Sequence, residues 1–212
     1  MAKETILICC AHDDDAAIGM GGTLIKYLQQ RKEVIYVIFS AGQQSHPHLK
    51  EKVIANIREK EAKAMMAELG IKKTYFFGLT DSRVKEEIAK RRVRPKIQKV
   101  LKQYRPAKIF TLSPQDPHPD HRAVSQAVLE VVEEERMAVP VYAFEVWNLL
   151  PENQPVFYED VTDTFQGKLH LFRHFKSQWL SVYLQLIPVY VRARLYGRKH
   201  GCKYAEKFYK IR

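Results

Sequence analysis

Apolar residues in the first half of the chain fall into two alternating rhythms. The unbroken runs at 6–10 (ILICC) and 34–39 (VIYVIF) are short, rich in β-branched residues and bounded by polar turns. They predict strands buried on both faces. Between them Leu24, Ile25, Tyr27 and Leu28 recur at helical spacing, predicting a helix over 22–30. A longer helix over 50–69 carries Val53, Ile57, Ala64 and Met65 near one face and stops at Leu69-Gly70, where glycine favours termination. Residues 74–77 read as a third strand, 83–104 as a strongly basic helix and 108–112 as a fourth strand. Pro119 opens a helix to about Arg136, since proline suits a first turn. Residues 141–147 and 156–158 read as further strands, and helices fill most of 163–199.

Strands separated by helices, in units of roughly thirty residues, predict an α/β fold with a parallel sheet and helices on both faces. In such sheets a ligand lies beyond the carboxyl ends of the strands. No Pro/Gly/Ser-rich linker, repeat or low-complexity tract divides residues 1–212, so one domain is expected. The five-residue apolar stretch near the start is too short for a signal-peptide core. The apolar stretch around Leu184 to Val191 contains Gln185 and Pro188 and falls short of a membrane span. These features predict a soluble, cytoplasmic protein. Three cysteines, Cys9, Cys10 and Cys202, give no framework spacing, which fits free thiols rather than a disulfide scaffold.

Composition adds one element. The net charge is +11, from 35 Lys and Arg against 24 Asp and Glu, and much of the excess lies beyond Arg192. Such an excess suits a polyanion, an anionic membrane surface or a solvated surface. No zinc-finger, RNP-like or zipper pattern accompanies it, so no nucleic acid is expected as a partner, while peripheral contact with an anionic surface stays open.

The chemistry concentrates in two loops at the predicted ligand edge. The first reads AHDDDAAIGMGGTL from Ala11, with three adjacent aspartates directly after a buried strand. The second reads SPQDPHPDHRA from Ser113, with His118 and His121 across a helix start. Histidines and carboxylates brought together from two loops make a metal site, hydrolytic zinc or ferrous iron. His121 lies in a first helical turn, where the positive end of the dipole favours the neutral imidazole a metal needs. A dinucleotide site is disfavoured. Gly19, Gly21 and Gly22 do not complete the fingerprint, Ser40 stands where an acid would bind ribose, and three acids would face a pyrophosphate. His170, His174 and His200 read as surface or packing residues, and so do His46 and His48, whose loop borders the expected pocket.

These motifs resemble the AHPDDE…GGT and HPDH motifs of the PIG-L/LmbE-like deacetylases. Weaker matches run through REKEA at 58–62, FFGLTD at 76–81, Lys168 with Ser177-Gln178, and GCKYAEKF at 201–208. The resemblance implies a Rossmann-like sheet and a Zn²⁺-dependent enzyme that deacetylates an N-acetylglucosamine-containing sugar, oligosaccharide or glycoconjugate. By position, His12, Asp15 and His121 would hold zinc, and Asp14 would be the general base for a zinc-bound water. His118 would stabilise the oxyanion or act as an acid, with Asp120 raising its pKa through a hydrogen bond. Arg58 and Asp81 would contact sugar hydroxyls, although Arg58 could instead pair with Glu61 on the helix surface. A homo-oligomer is compatible with the family. Two departures stand out. Asp13 replaces the motif's proline and Ala16 its glutamate, and the following Ala-Ile-Gly is similar to archaeal deacetylases of chitin-derived disaccharides, which also lack that glutamate. Two rival readings remain: hydrolysis of another amide, such as a thiol conjugate, and a non-catalytic basic protein that binds polyanions.

Overall fold

The computed structural model describes residues 3–44 and 50–212. Five strands lie parallel: β1 (Thr5–Cys10), β2 (Glu33–Ser40), β3 (Lys73–Leu79), β4 (Lys108–Thr111) and β5 (Val141–Phe144). Two more, β6 (Val156–Asp160) and β7 (Ala205–Lys210), complete a sheet of order β3-β2-β1-β4-β5-β7-β6, with β7 antiparallel to both neighbours. The sheet is therefore Rossmann-like and mainly parallel. β1 and β2 sit centrally and are buried along almost their whole lengths, which is why they read as continuous apolar runs.

The chain leaves β1 for β2 on one side and reaches β4 on the other, so the strand order reverses at β1. Helices α1 (Asp15–Gln29) and α2 (Glu51–Glu68) pack with the segment containing α6 (Phe165–Leu171). Helices α3 (Val84–Lys90), α4 (Val93–Tyr104) and α5 (Pro119–Glu134) pack together on the opposite face. The crevice at this reversal lies beside the ends of β1 and β4, where α1 and α5 begin. The last helix, α7 (Trp179–His200), contacts β7 and β6.

Several boundaries differ from the sequence expectation, each for a physical reason. α1 starts at Asp15, not Gly22, because the glycines lie inside it. The helix breaks at Met20 (φ −140°, ψ 22°), and the amides freed there are taken by a carboxylate: Gly22 and Thr23 donate to Glu206 at 3.0 and 2.8 Å. The helix expected over 83–104 is two. Pro95 cannot donate, and its ring crowds the carbonyl four residues earlier, so the chain turns at Arg92 (φ +50°) before α4 begins. The strand expected over 141–147 ends at Phe144. β7 escaped the pattern because its Glu206 and Lys207 are buried in ion pairs, which disguises a core strand as polar. All three cysteines are free thiols, as their spacing suggested.

Candidate metal centre and active site

The turn after β1 aims its carboxylates individually. The His12 amide donates to Asp15 Oδ2 at 2.8 Å, leaving Oδ1 turned into the crevice. There Oδ1 lies 3.7 Å from His12 Nδ1 and 3.4 Å from His121 Nε2. One ligand atom from each of these three residues lies within 4.8 Å of the others, and all three side chains are buried. His121 arrives from the first turn of α5, which His118 caps by accepting the Asp120 amide on Nδ1 at 3.2 Å. Pro119 at the first helical position has no N–H to satisfy there.

Each imidazole is backed by carboxylates on its far nitrogen. His12 Nε2 is 3.2 Å from Asp81 Oδ1 and 3.5 Å from Asp120 Oδ2, and His121 Nδ1 is 3.1 Å from Asp116 Oδ2. A carboxylate behind an imidazole sets its tautomer and raises its basicity toward a metal. His12, Asp81 and Asp120 also cluster within 4.8 Å. Those two acids are already engaged with backbone: Asp120 accepts from Ser82 (2.7 Å) and Val84 (3.3 Å), and Asp81 accepts from Gln44 (3.3 Å). Among the described residues Asp15 Oδ1 meets only imidazoles, so the set of two histidines and Asp15 is the better metal cradle.

Electrostatics agree. Burial opposes ionisation of Asp15, yet His121 and His12 on either side hold its carboxyl well below the usual range. Burial also opposes charge on the two imidazoles. Asp120, Asp15 and Asp81 nevertheless raise His12 well above its ordinary value, and Asp15 with Asp116 pushes His121 up to about 9. Anionic Asp15 thus calls for positive charge between the imidazoles, a demand that either protons or a dication meets. His121 Nδ1 and Asp116 Oδ2 lie close without a well-formed hydrogen bond, an orphaning that a ligated, reoriented ring would relieve. The donor set therefore fits zinc.

Asp14 and Asp13 meet a different cation. Arg58, buried on α2, donates Nε to Asp13 Oδ1 at 3.0 Å, places Nη2 on the same oxygen, and donates Nη1 to the Gly42 carbonyl at 3.1 Å. Its Nη2 lies 3.5 Å from Asp14 Oδ1. Gly42 adopts φ +61°, and any Cβ there would fall 2.2 Å from Arg58 Nη1, so this glycine makes room for the guanidinium. Burial pushes the Asp14 carboxyl upward and Arg58 tempers the rise. An Arg58–Glu61 pair is not formed, because Glu61 binds the Ser177 amide and hydroxyl at 2.8 and 2.6 Å.

One expectation is overturned. The Asp120 carboxylate does not hydrogen-bond His118. Burial, followed by the His121 and His12 charges, lowers the His118 pKa, and the opposing pull of the Asp120 charge does not offset them. With Nδ1 accepting the Asp120 amide, the neutral His118 ring carries its proton on Nε2.

His12, Asp14, Arg58, Asp81, His118 and His121 line one open cleft of about 260 Å³, together with Trp147, Gln178 and Ser181. That volume is at the small end for a small-molecule site. All eight residues singled out from the sequence thus converge on one crevice. His46 and His48 lie outside the described residues. The sequence reading missed Asp116, whose signal was an acid two positions before His118 in the same loop: its Oδ1 accepts the His118 amide at 2.8 Å. It also left Asp13 without a role.

Known proteins share this fold. Diacetylchitobiose deacetylase of Thermococcus kodakarensis is 28% identical over 220 residues, covering 96% of this chain and 81% of that protein. N,N'-diacetylchitobiose deacetylase from Pyrococcus horikoshii, solved with an inhibitor, superposes with a TM-score of 0.81 at 28% identity, covering 97% of this chain and 82% of that one. A 4-carboxy-2-hydroxymuconate hydratase from Pseudomonas putida KT2440 superposes as well, with a TM-score of 0.82 at 20% identity over 99% of this chain and 96% of its own, which speaks for the fold alone. The family model described as PIG-L: GlcNAc-PI de-N-acetylase matches residues 7–132, both histidine motifs included. With more than half its length matched, the chain belongs to the PIG-L family.

Proposed function

We propose that this protein is a zinc-dependent hydrolase that removes the acetyl group from an N-acetylglucosamine-containing sugar or glycoconjugate. The observation that carries the reading is the pairing of a two-histidine, one-aspartate cradle with a second buried carboxylate, Asp14, in the same cleft. The similarity to deacetylases of diacetylchitobiose supports an N-acetylated amino sugar as substrate.

His12, Asp15 and His121 would hold the metal, with Asp81, Asp120 and Asp116 keeping the two imidazoles in place. Zinc bound there would polarise the acetyl carbonyl and make an attacking water more acidic. Asp14 takes the proton of that water and returns it to the amine nitrogen as the C–N bond breaks, releasing acetate and the free amine. Burial raises the Asp14 pKa, which strengthens the carboxylate as a base, while the guanidinium of Arg58 opposes that rise. His118 Nε2–H donates to the carbonyl oxygen as negative charge builds, and a depressed pKa suits a neutral donor. Trp147, Gln178 and Ser181 form the wall against which the sugar rests.

The test is release of acetate and free amine from N,N'-diacetylchitobiose and from N-acetylglucosamine by zinc-loaded protein, with bound metal measured in parallel. About one equivalent of zinc and turnover of either sugar is expected. Protein that retains no divalent metal, or holds zinc and releases no acetate from any N-acetylglucosamine derivative, would refute the reading.

A further inference from the structure

The cleft mouth adjoins a surface unlike the rest of the molecule. From Trp179 to Val191 the chain has no charged residue, and its polar residues there are Ser181 and Gln185, the latter buried. α7 packs through Val182, Gln185, Val189 and Ala193, and turns Trp179, Leu180, Tyr183, Leu184, Ile187 and Val191 outward. Ile187 is 74% exposed, and Leu184 and Tyr183 are each 64% exposed. At 1.5 Å per residue this stripe runs for about 18 Å, far more contiguous apolar surface than scattered exposed residues leave.

Charge frames the stripe. Between Asp163 and Glu206 there is no acidic residue and there are eight Lys and Arg. Arg173 and Lys176 are exposed before α7, and Arg198, Lys199 and Lys203 are exposed at and beyond its end. Glu152, 3.7 Å from Lys199, is already held by Lys207 at 3.1 Å. An apolar helical face carrying tryptophan and tyrosine, with basic residues at both ends, has the character of a helix that lies in the plane of a membrane interface. A second copy would cover the apolar centre, but it would bring no acid from this segment to meet the basic ends. Anionic lipid meets both.

We propose that the exposed face of α7 docks the protein on an anionic lipid surface, with Trp179, Leu184 and Ile187 entering the interface and the basic residues engaging headgroups. Gln178 and Ser181, at the start of the stripe, line the catalytic cleft, so docking brings the mouth of that cleft to the lipid. This proposal concerns binding and stands whether or not the deacetylase reading does.

The test uses the full chain and vesicles of phosphatidylcholine with and without phosphatidylglycerol. The two tryptophans, Trp147 and Trp179, both sit on this side and are 43% and 61% exposed, so their emission reports insertion directly. Sedimentation with the phosphatidylglycerol vesicles and a shift of emission to shorter wavelength are expected, with binding at least about tenfold weaker on pure phosphatidylcholine. The double variant Leu184→Glu/Ile187→Glu should bind about tenfold or more weakly while melting like the wild type, because both side chains face solvent. Wild-type protein that stays in the supernatant with unchanged emission would overturn the proposal. Light scattering that finds a wild-type dimer made monomeric by the same double variant would overturn it too, by assigning the face to a second copy.

Discussion

Two buried clusters of charge lie on either side of the sheet's centre, and they are built on opposite principles. At the antiparallel end, Lys168 gives Nζ to Glu206 at 2.5 Å, and the same carboxylate takes the amides of Gly22 and Thr23. Beside it Glu145 accepts from the Tyr196 hydroxyl (2.6 Å), the Leu150 amide (3.1 Å) and Tyr209, with Lys207 3.1 Å away. Lys168, Glu206, Glu145 and Lys207 each have an opposite charge within reach, as stable buried ions require. At the parallel end three adjacent aspartates are divided between two imidazoles and the Arg58 guanidinium, and among the described residues Asp13 Oδ2, Asp116 Oδ2 and His121 Nδ1 have no hydrogen-bond partner. A satisfied buried network holds a fold together. An unsatisfied one beside a cleft is poised for something the chain does not itself supply.

That contrast breaks most sharply at Asp14 and His121. Asp14→Asn should lower kcat for acetate release by roughly 10²–10⁴, the usual worth of a general base, and leave bound zinc unchanged. His121→Ala should lose both activity and metal. Loss of zinc in Asp14→Asn, measured by metal analysis, would make Asp14 a ligand and undo the division of labour between the neighbouring aspartates.

At the satisfied end the same kind of substitution should act on stability instead. Glu206→Ala strands buried Lys168 and two helix amides, and should cost about 3–5 kcal/mol. For a chain of this size that lowers the melting temperature by about 6–20 °C. Activity per folded molecule should survive. A variant that melts normally would show that the network is less tightly coupled to α1 than its hydrogen bonds indicate.

Much of this was legible beforehand, and the gaps have a common cause. Alternating buried runs and amphipathic helices gave the parallel half of the sheet, because β1 and β2 are apolar on both faces. The two histidine motifs gave the crevice, because parallel topology carries the ends of β1 and β4 to one place. Pattern failed where polar residues do core work. β7 went unseen because its Glu206 and Lys207 are buried, and the glycines of α1 suggested a loop when they serve close packing. Asp120 was expected to bond His118, whereas its carboxylate crosses to His12 and to the amides of Ser82 and Val84.

Asp13 joins the two principles, since Arg58 satisfies one of its oxygens and leaves the other bare. Asp13→Pro would restore the residue that the resembling motif carries, yet here it removes the main carboxylate of a buried guanidinium. Arg58 keeps Asp14 at 3.5 Å and the Gly42 carbonyl, so the loss should sit near the low end for a broken buried pair, about 3 kcal/mol. Asp13→Asn keeps an oxygen for Arg58 and should cost about 1 kcal/mol. Equal melting curves for the two variants would mean that the ion pair is incidental.

A modest effect is expected at the glycines. A Cβ at Gly22 would lie 2.8 Å from Val161 Cβ, a β-branched side chain with little freedom to yield, while the Gly22 amide is tied to Glu206. Gly22→Ala should therefore cost about 1–3 kcal/mol through overpacking, despite alanine's better helix propensity. Restoring room with Val161→Ala in the same chain should recover part of that loss. If Gly22→Ala is instead stabilising by the few tenths to 1 kcal/mol that propensity alone supplies, close packing of α1 against the turn after β6 is not what glycine provides there. The break at Met20 would then need another origin than the approach of Val161 and the pull of Glu206.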